Sequence, residues 1–209
     1  MYKTYFNYGA MSSGKTLQLL SAIINYRMKN ANVLIMSPQQ DNRAGVGVIK
    51  TRVEGMKPIK VDFVISEFND KLKAFLHKAY DNNAIIFIDE CQFISYNTVK
   101  QMVNYCRDLE DTHNHKSPYF KIMAYGLLTD FNNKLFDGTR AWLEEADSMR
   151  QLKSSCAVEN CDNNPTCNIL NPEMAAKARA EGTNTVIGSK AYMSVCSYHY
   201  HALMKQYGL

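Results

Sequence analysis

Residues Gly9-Ala10-Met11-Ser12-Ser13-Gly14-Lys15-Thr16 fit the pattern G-x-x-x-x-G-K-S/T. The pattern works only where a strand, a tight loop and a helix follow one another. Its two glycines let the backbone curl with N–H groups turned inward, which makes a cradle for phosphate oxygens. A lysine then reaches the outer phosphates, a hydroxyl holds Mg²⁺, and the next helix aims its positive dipole end at the same anion. The flanking residues agree. Tyr2 to Tyr8 alternates and is rich in aromatics, as a strand should be. Thr16 to Met28 reads as a helix with Leu17, Leu20, Ile23 or Ile24, and Met28 on one face.

Further along, short apolar runs alternate with helical patterns. Asn32 to Ser37, Ile59 to Ile65, Ala84 to Ile88 and Phe120 to Tyr125 read as strands, and Asp70 to Tyr80 and Asn97 to Leu109 as helices. The continuous run AIIFI suits a parallel strand covered on both faces. The expected fold is therefore α/β, a P-loop NTPase-like parallel sheet flanked by helices. Pro38 to Pro58 has no periodicity and reads as a long functional loop. Asp111 to Ser117, with two histidines, reads as a solvated turn.

A chain of 209 residues with a net charge of +4 has room for a core and a small appendage. Its basic residues are scattered, which argues against a nucleic-acid surface. No opening segment resembles a signal peptide and no apolar run approaches membrane-spanning length, so a soluble cytoplasmic protein that avoids membranes is expected. Six cysteines in that setting point to metal or buried thiols rather than disulfides.

Two motifs extend the phosphate loop. Ile85 to Ile88 ends in Asp89-Glu90. Asp89 has the place of a Mg²⁺ carboxylate at the end of a neighbouring strand. Glu90, pointing differently, can take the proton of a hydroxyl acceptor. Then Cys156-x4-Cys161 and Cys196-x2-His199 form two short-spaced pairs, the arrangement of a four-ligand structural zinc site, with Cys167 and His201 as rivals. Metal there would pin both ends of Asp162 to Val195, a loop able to fold over a small molecule. The chain accordingly divides into residues 1–150, a P-loop ATP-binding kinase domain, and 151–209, a small zinc-binding domain.

Taken in order, the P-loop, Asp41-x-Arg43, Asp89-Glu90-x-Gln92-Phe93, Tyr125-Gly126-Leu127 with Asp130-Phe131, Ile187-Gly188 followed by Tyr192, and the four-ligand knuckle resemble the type II thymidine kinases. In that family a zinc-bound lasso loop closes over the nucleoside. The match spans nearly the whole chain, and its divergent details look like those of a viral or phage member. The resemblance implies ATP-dependent phosphorylation of the 5′-hydroxyl of thymidine. It implies that Gly9, Ala10, Met11, Ser12, Ser13, Gly14, Lys15 and Thr16 hold the ATP phosphates, and that Thr16 and Asp89, with Asp41 nearby, hold Mg²⁺. Glu90 becomes the general base, with Lys15 and Arg43 (or Arg52) stabilising the transferred group. Met11, Phe93, Leu127, Phe131, Asn168 and Tyr192 match positions around the base, and Val186, Ile187 and Gly188 the lasso backbone. Cys156, Cys161, Cys196 and His199 match the zinc ligands, and the family is usually tetrameric. Two departures fall in the acceptor pocket. Asn168 stands where the family often has threonine, and the lasso is short between Gly188 and Tyr192.

Overall fold

The computed structural model describes residues 2–41, 45–51, 53, 55–113, 117, 119–182 and 191–207. Arg43, Arg52, Val186, Ile187 and Gly188 lie outside the described residues.

Six strands form one sheet: β1 (Lys3–Tyr8), β2 (Val33–Pro38), β5 (Phe63–Ile65), β6 (Ile85–Ile88), β7 (Lys121–Gly126) and β8 (Ser148–Gln151). Their order is β5-β2-β6-β7-β1-β8, and every pairing is parallel. All four residues of β6 are buried, as a central strand covered on both faces requires. Ile86 and Ile88 face one core with α2 (Asp70–Asp81), α3 (Tyr96–Thr112) and α4 (Asp137–Glu145). Ile85 and Phe87 face the other, with α1 (Lys15–Met28). The α/β parallel architecture expected from the alternation is the one observed.

The helix α1 is rotated relative to the expected face. Lys15, Leu19, Leu20 and Ile23 are buried, whereas Leu17, Ile24 and Met28 are 44%, 53% and 78% exposed. The helix carries apolar residues on both sides, so periodicity alone did not fix its rotation. The row Lys15, Leu19, Ile23 runs at i, i+4 spacing, and the loop that positions Lys15 sets which row meets the sheet.

The expected strand Ile59 to Ile65 is two strands. β4 (Ile59–Lys60) pairs antiparallel with β3 (Val48–Ile49), which lies inside the long loop, while β5 joins the main sheet beside β2. The break falls at Asp62. Its N–H donates to the Ile35 carbonyl at 2.8 Å, and its carboxylate accepts from the Ile35 N–H at 2.8 Å. The side chain thus takes over a backbone position in the ladder, and the expected alternation breaks at the bend: Val61 packs in the core beside α1, whereas Phe63 and Ile65 pack in the other.

Beyond β8 lies a small lobe. β9 (Cys167–Leu170) and β10 (Tyr192–Val195) pair antiparallel, with Asn168 opposite Ser194. Two helices complete it, α5 (Pro172–Ala180) and α6 (Ser197–Gln206).

Candidate active site

The C-terminal ends of parallel strands gather the site, as in open α/β sheets generally. The P-loop leaves β1, Asp41 follows β2, Asp89 and Glu90 follow β6, and Leu127 follows β7. Ser12 and Gly14 turn the loop with φ of 60° and 76°. Gly9 has no room for a side chain, because a Cβ there would lie 2.9 Å from the Leu152 carbonyl oxygen. Gly14 caps α1 without a side-chain hydrogen bond, and the start of a helix favours an anion. The Lys15 Nζ donates to the Ala10 carbonyl at 2.7 Å and the Gly9 carbonyl at 3.2 Å, inside its own loop. The Ser13 Oγ is buried with no hydrogen-bond partner among the described residues. A buried orphan hydroxyl, a curled loop and an uncapped helix start together fit a phosphate chain.

Thr16 Oγ1 donates to Asp89 Oδ2 at 3.0 Å. A hydroxyl and a buried carboxylate in contact beside a phosphate loop are the oxygen ligands that Mg²⁺ takes. Asp41 is buried at the end of the neighbouring strand.

Glu90 is held differently. Its backbone is left-handed, φ 50° and ψ 38°, where it opens the 3-10 turn Cys91–Phe93. This conformation costs about 1–3 kcal/mol in a non-glycine residue and tends to mark function. Gln92 Nε2 donates to Glu90 Oε2 at 2.6 Å, and Gln92 Oε1 accepts the Leu127 N–H at 3.0 Å. The backbone donor at Leu127 settles which way round the carboxamide lies, so its NH₂ must face the carboxylate. The turn itself is wedged. A Cβ at Gly126 would lie 2.8 Å from Gln92 Oε1 and one at Gly138 2.7 Å from the Gln92 carbonyl, while Trp142 Nε1 donates to the Cys91 carbonyl at 3.2 Å. Burial, and after it the charges of Glu90 and Asp89, push the Cys91 thiol far above its usual range. It therefore stays protonated and inert beside the two carboxylates.

The side chains expected around a base are dispersed over several elements. Phe93 packs edge-on against Phe136, with ring centres 5.9 Å apart. Leu127 is tied to Gln92 through its N–H and to Thr139 through its carbonyl, at 2.6 Å. Phe131 is buried with Leu170, and Tyr192 packs against the same cluster. Met11 meets Asn168, whose Oδ1 accepts the Met11 N–H at 2.7 Å.

In the small lobe, one ligand atom each from Cys156, Cys161, Cys196 and His199 lies within 4.8 Å of the others. His199 Nδ1 is 3.5 Å from Cys156 Sγ and 3.4 Å from Cys196 Sγ, and Cys161 Sγ is 4.0 Å from Cys196 Sγ. Tetrahedral zinc with these ligands would place its donor atoms roughly 3.5–3.8 Å apart. Burial alone would raise the Cys156 thiol. Backbone N–H groups of Val158 and Cys196, with His199 and Cys161, outweigh it and bring the thiol down to about 7, which favours the thiolate a metal needs. The rivals lie elsewhere: Cys167 Sγ contacts Thr166 and Asn133, each at 3.6 Å, and His201 is exposed. Gln92 stood in the sequence motif without a role, and Ser194 was not singled out. Their contacts with Leu127 and Met11 span 35 and 183 residues, so spacing carried no signal for them.

A parallel sheet with this loop, a Thr–Asp pair and a second carboxylate beside it defines a P-loop nucleotide-binding protein. The thymidine kinase family profile matches residues 3–200. The chain is similar to thymidine kinases of Rhodopirellula baltica (32% identical, covering 99% of this chain and 91% of the relative), Shewanella oneidensis (32%, 96% and 97%) and Lactobacillus johnsonii (30%, 99% and 100%). The chain belongs to the thymidine kinase family. Among solved structures it also resembles, distantly, a Candida albicans Pif1 helicase, with a TM-score of 0.42 and 14% identity, over 73% of this chain and 36% of that one.

Proposed function

We propose that this protein transfers the γ-phosphoryl group of ATP to the 5′-hydroxyl of thymidine, giving thymidine monophosphate. The observation that carries the reading is the separation of two adjacent carboxylates. Asp89 bonds to Thr16 on the phosphate side, while Glu90 is turned by its left-handed backbone to Gln92 and the end of β7. Full-length relatedness to thymidine kinases supplies the acceptor.

The loop Gly9 to Thr16, the α1 N-terminus and Lys15 hold the donor phosphates in this reading. Thr16 and Asp89, with Asp41, hold Mg²⁺, which neutralises charge on the β- and γ-phosphates when bound. Met11, Phe93, Leu127, Phe131, Asn168 and Tyr192 surround the base, and Val186, Ile187 and Gly188 offer backbone groups to it. Glu90 takes the 5′-hydroxyl proton as the new O–P bond forms and the bond to the ADP oxygen breaks. Arg43 adds positive charge at the transferred group. Cys156, Cys161, Cys196 and His199 hold structural zinc in residues 151–209, leaving 1–150 as the kinase domain.

Purified protein with ATP–Mg²⁺ and a panel of nucleosides should yield thymidine monophosphate. A panel giving only ADP and inorganic phosphate would remove the reading. A homotetramer acting in the cytoplasm completes it. The exposed apolar row Leu17, Ile24 and Met28 on α1 is a surface suited to self-association. No described helix is long and apolar enough to cross a membrane. Light scattering should report four times the 23.8 kDa chain mass; a single chain mass would exclude the tetramer.

A further inference from the structure

Met11 is bound on both its main-chain polar atoms by the small lobe. Its N–H donates to Asn168 Oδ1 at 2.7 Å, and its carbonyl accepts from Ser194 Oγ at 2.6 Å. Ser194 Oγ also lies 3.3 Å from Asn168 Oδ1. Asn168 and Ser194 are register partners across β9 and β10. One rung of the hairpin therefore offers an acceptor and a donor to one residue of the P-loop. The rung continues into the cysteine and histidine cluster. The Ala157 N–H donates to the Ser194 carbonyl at 2.9 Å, and the Cys196 N–H donates to Cys156 Sγ at 3.4 Å.

Met11 precedes Ser12, which turns the loop, and Ser13, whose hydroxyl is buried with no hydrogen-bond partner among the described residues. Displacing the hairpin must move Met11 or break two short hydrogen bonds, so the donor loop and the acceptor lobe share one mechanical joint. We propose that Asn168 and Ser194 are positioning residues that fix the P-loop to the acceptor lobe, so that nucleoside bound in the lobe tightens nucleotide bound in the loop. This rests on the kinase reading above. Reciprocal coupling follows, because each ligand selects the same placement of Met11.

The test is calorimetry on the full-length protein with Mg²⁺ and the β,γ-imido analogue of ATP. Affinity is measured with and without a saturating amount of whichever nucleoside gives product in the panel assay. In the native protein the nucleoside should tighten the analogue by about five-fold or more, the lower end of ordinary coupling. Ser194→Ala should bring that ratio close to one, and Ser194→Thr, which keeps the hydroxyl, should restore it. Asn168→Leu should act like Ser194→Ala, and combining the two should add little, since both act on one residue. Thermal melts confirm folding; should Asn168→Leu fail to fold, the two Ser194 variants decide the matter alone. A native ratio of one, or a ratio unchanged in folded Ser194→Ala, overturns the joint. Neither result bears on whether nucleoside monophosphate is formed, so failure of the joint and failure of the kinase reading remain distinguishable.

Discussion

Replacing Glu90 by glutamine is expected to lower kcat by about 10²- to 10⁴-fold with little change in ATP affinity. The substitution keeps size and shape. Asp89 still bonds to Thr16, so the proposed metal pair is intact. Gln92 can still donate to the new carboxamide oxygen, so the 3-10 turn should hold. What would be lost is the negative charge that makes the side-chain oxygen basic enough to take the 5′-hydroxyl proton in the proposed reaction. Single-turnover measurement of nucleoside monophosphate isolates that step, and a native rate would remove Glu90 from the chemistry. The base role also sets the sign of the pH dependence. The carboxylate must be ionised, so activity falls on the acid side as Glu90 is protonated. Gln92 donates to the charged form at 2.6 Å, and such a bond favours ionisation. Gln92→Leu should therefore move the acid limb of the kcat–pH profile upward, whereas a variant that only loosened the fold would lower the plateau and leave the limb in place.

This geometry shows where the sequence was legible and where it was not. Ile85 to Ile88 announced a central strand because burial on both faces leaves no polar residue in it. The P-loop was legible because each fixed position answers to local chemistry. α1 was legible as a helix but not in its rotation, since Leu17, Ile24 and Met28 are apolar and exposed. β8 reads SMRQ and is largely exposed, so no apolar pattern betrayed it, although it pairs with β1 along four residues. In the small lobe β9 and β10 escaped notice because they have four residues each, and α6 because it buries only Tyr200 and so shows no apolar face. Their packing is organised by the cysteine and histidine cluster, and ligand spacing was the one local trace of that. Gln92 between Glu90 and Leu127 depends on a turn after β6 meeting the end of β7. The Asn168 and Ser194 contacts with Met11 bridge separations of 157 and 183 residues. Such pairs are fixed by topology, which local pattern does not encode.

Topology also decides what loss of the metal site should do. Cys196→Ser is expected to reduce bound zinc from about one per chain to near none, as read by elemental analysis of the full-length protein. Structural zinc contributes folding free energy outright, and three thiol or imidazole ligands left facing one another without an ion would repel or disperse. The main sheet has its own two cores, so the loss should be confined to the lobe. That makes the expected destabilisation a few kcal/mol rather than global unfolding, a fall in Tm of roughly 5–10 °C for a chain of this size. Two consequences separate this from ordinary damage. Nucleoside KM should rise, because Tyr192 belongs to the hairpin that leads into Cys196, and Tyr200, which anchors α6 to the Phe131 carbonyl at 3.0 Å, follows it by four residues. Cys167→Ser should keep the metal, because that thiol faces Thr166 and Asn133 instead. Retained zinc in Cys196→Ser, or lost zinc in Cys167→Ser, would overturn the ligand set. If both behave as expected, the four side chains are held for coordination, and the small lobe owes its shape to the ion they bind.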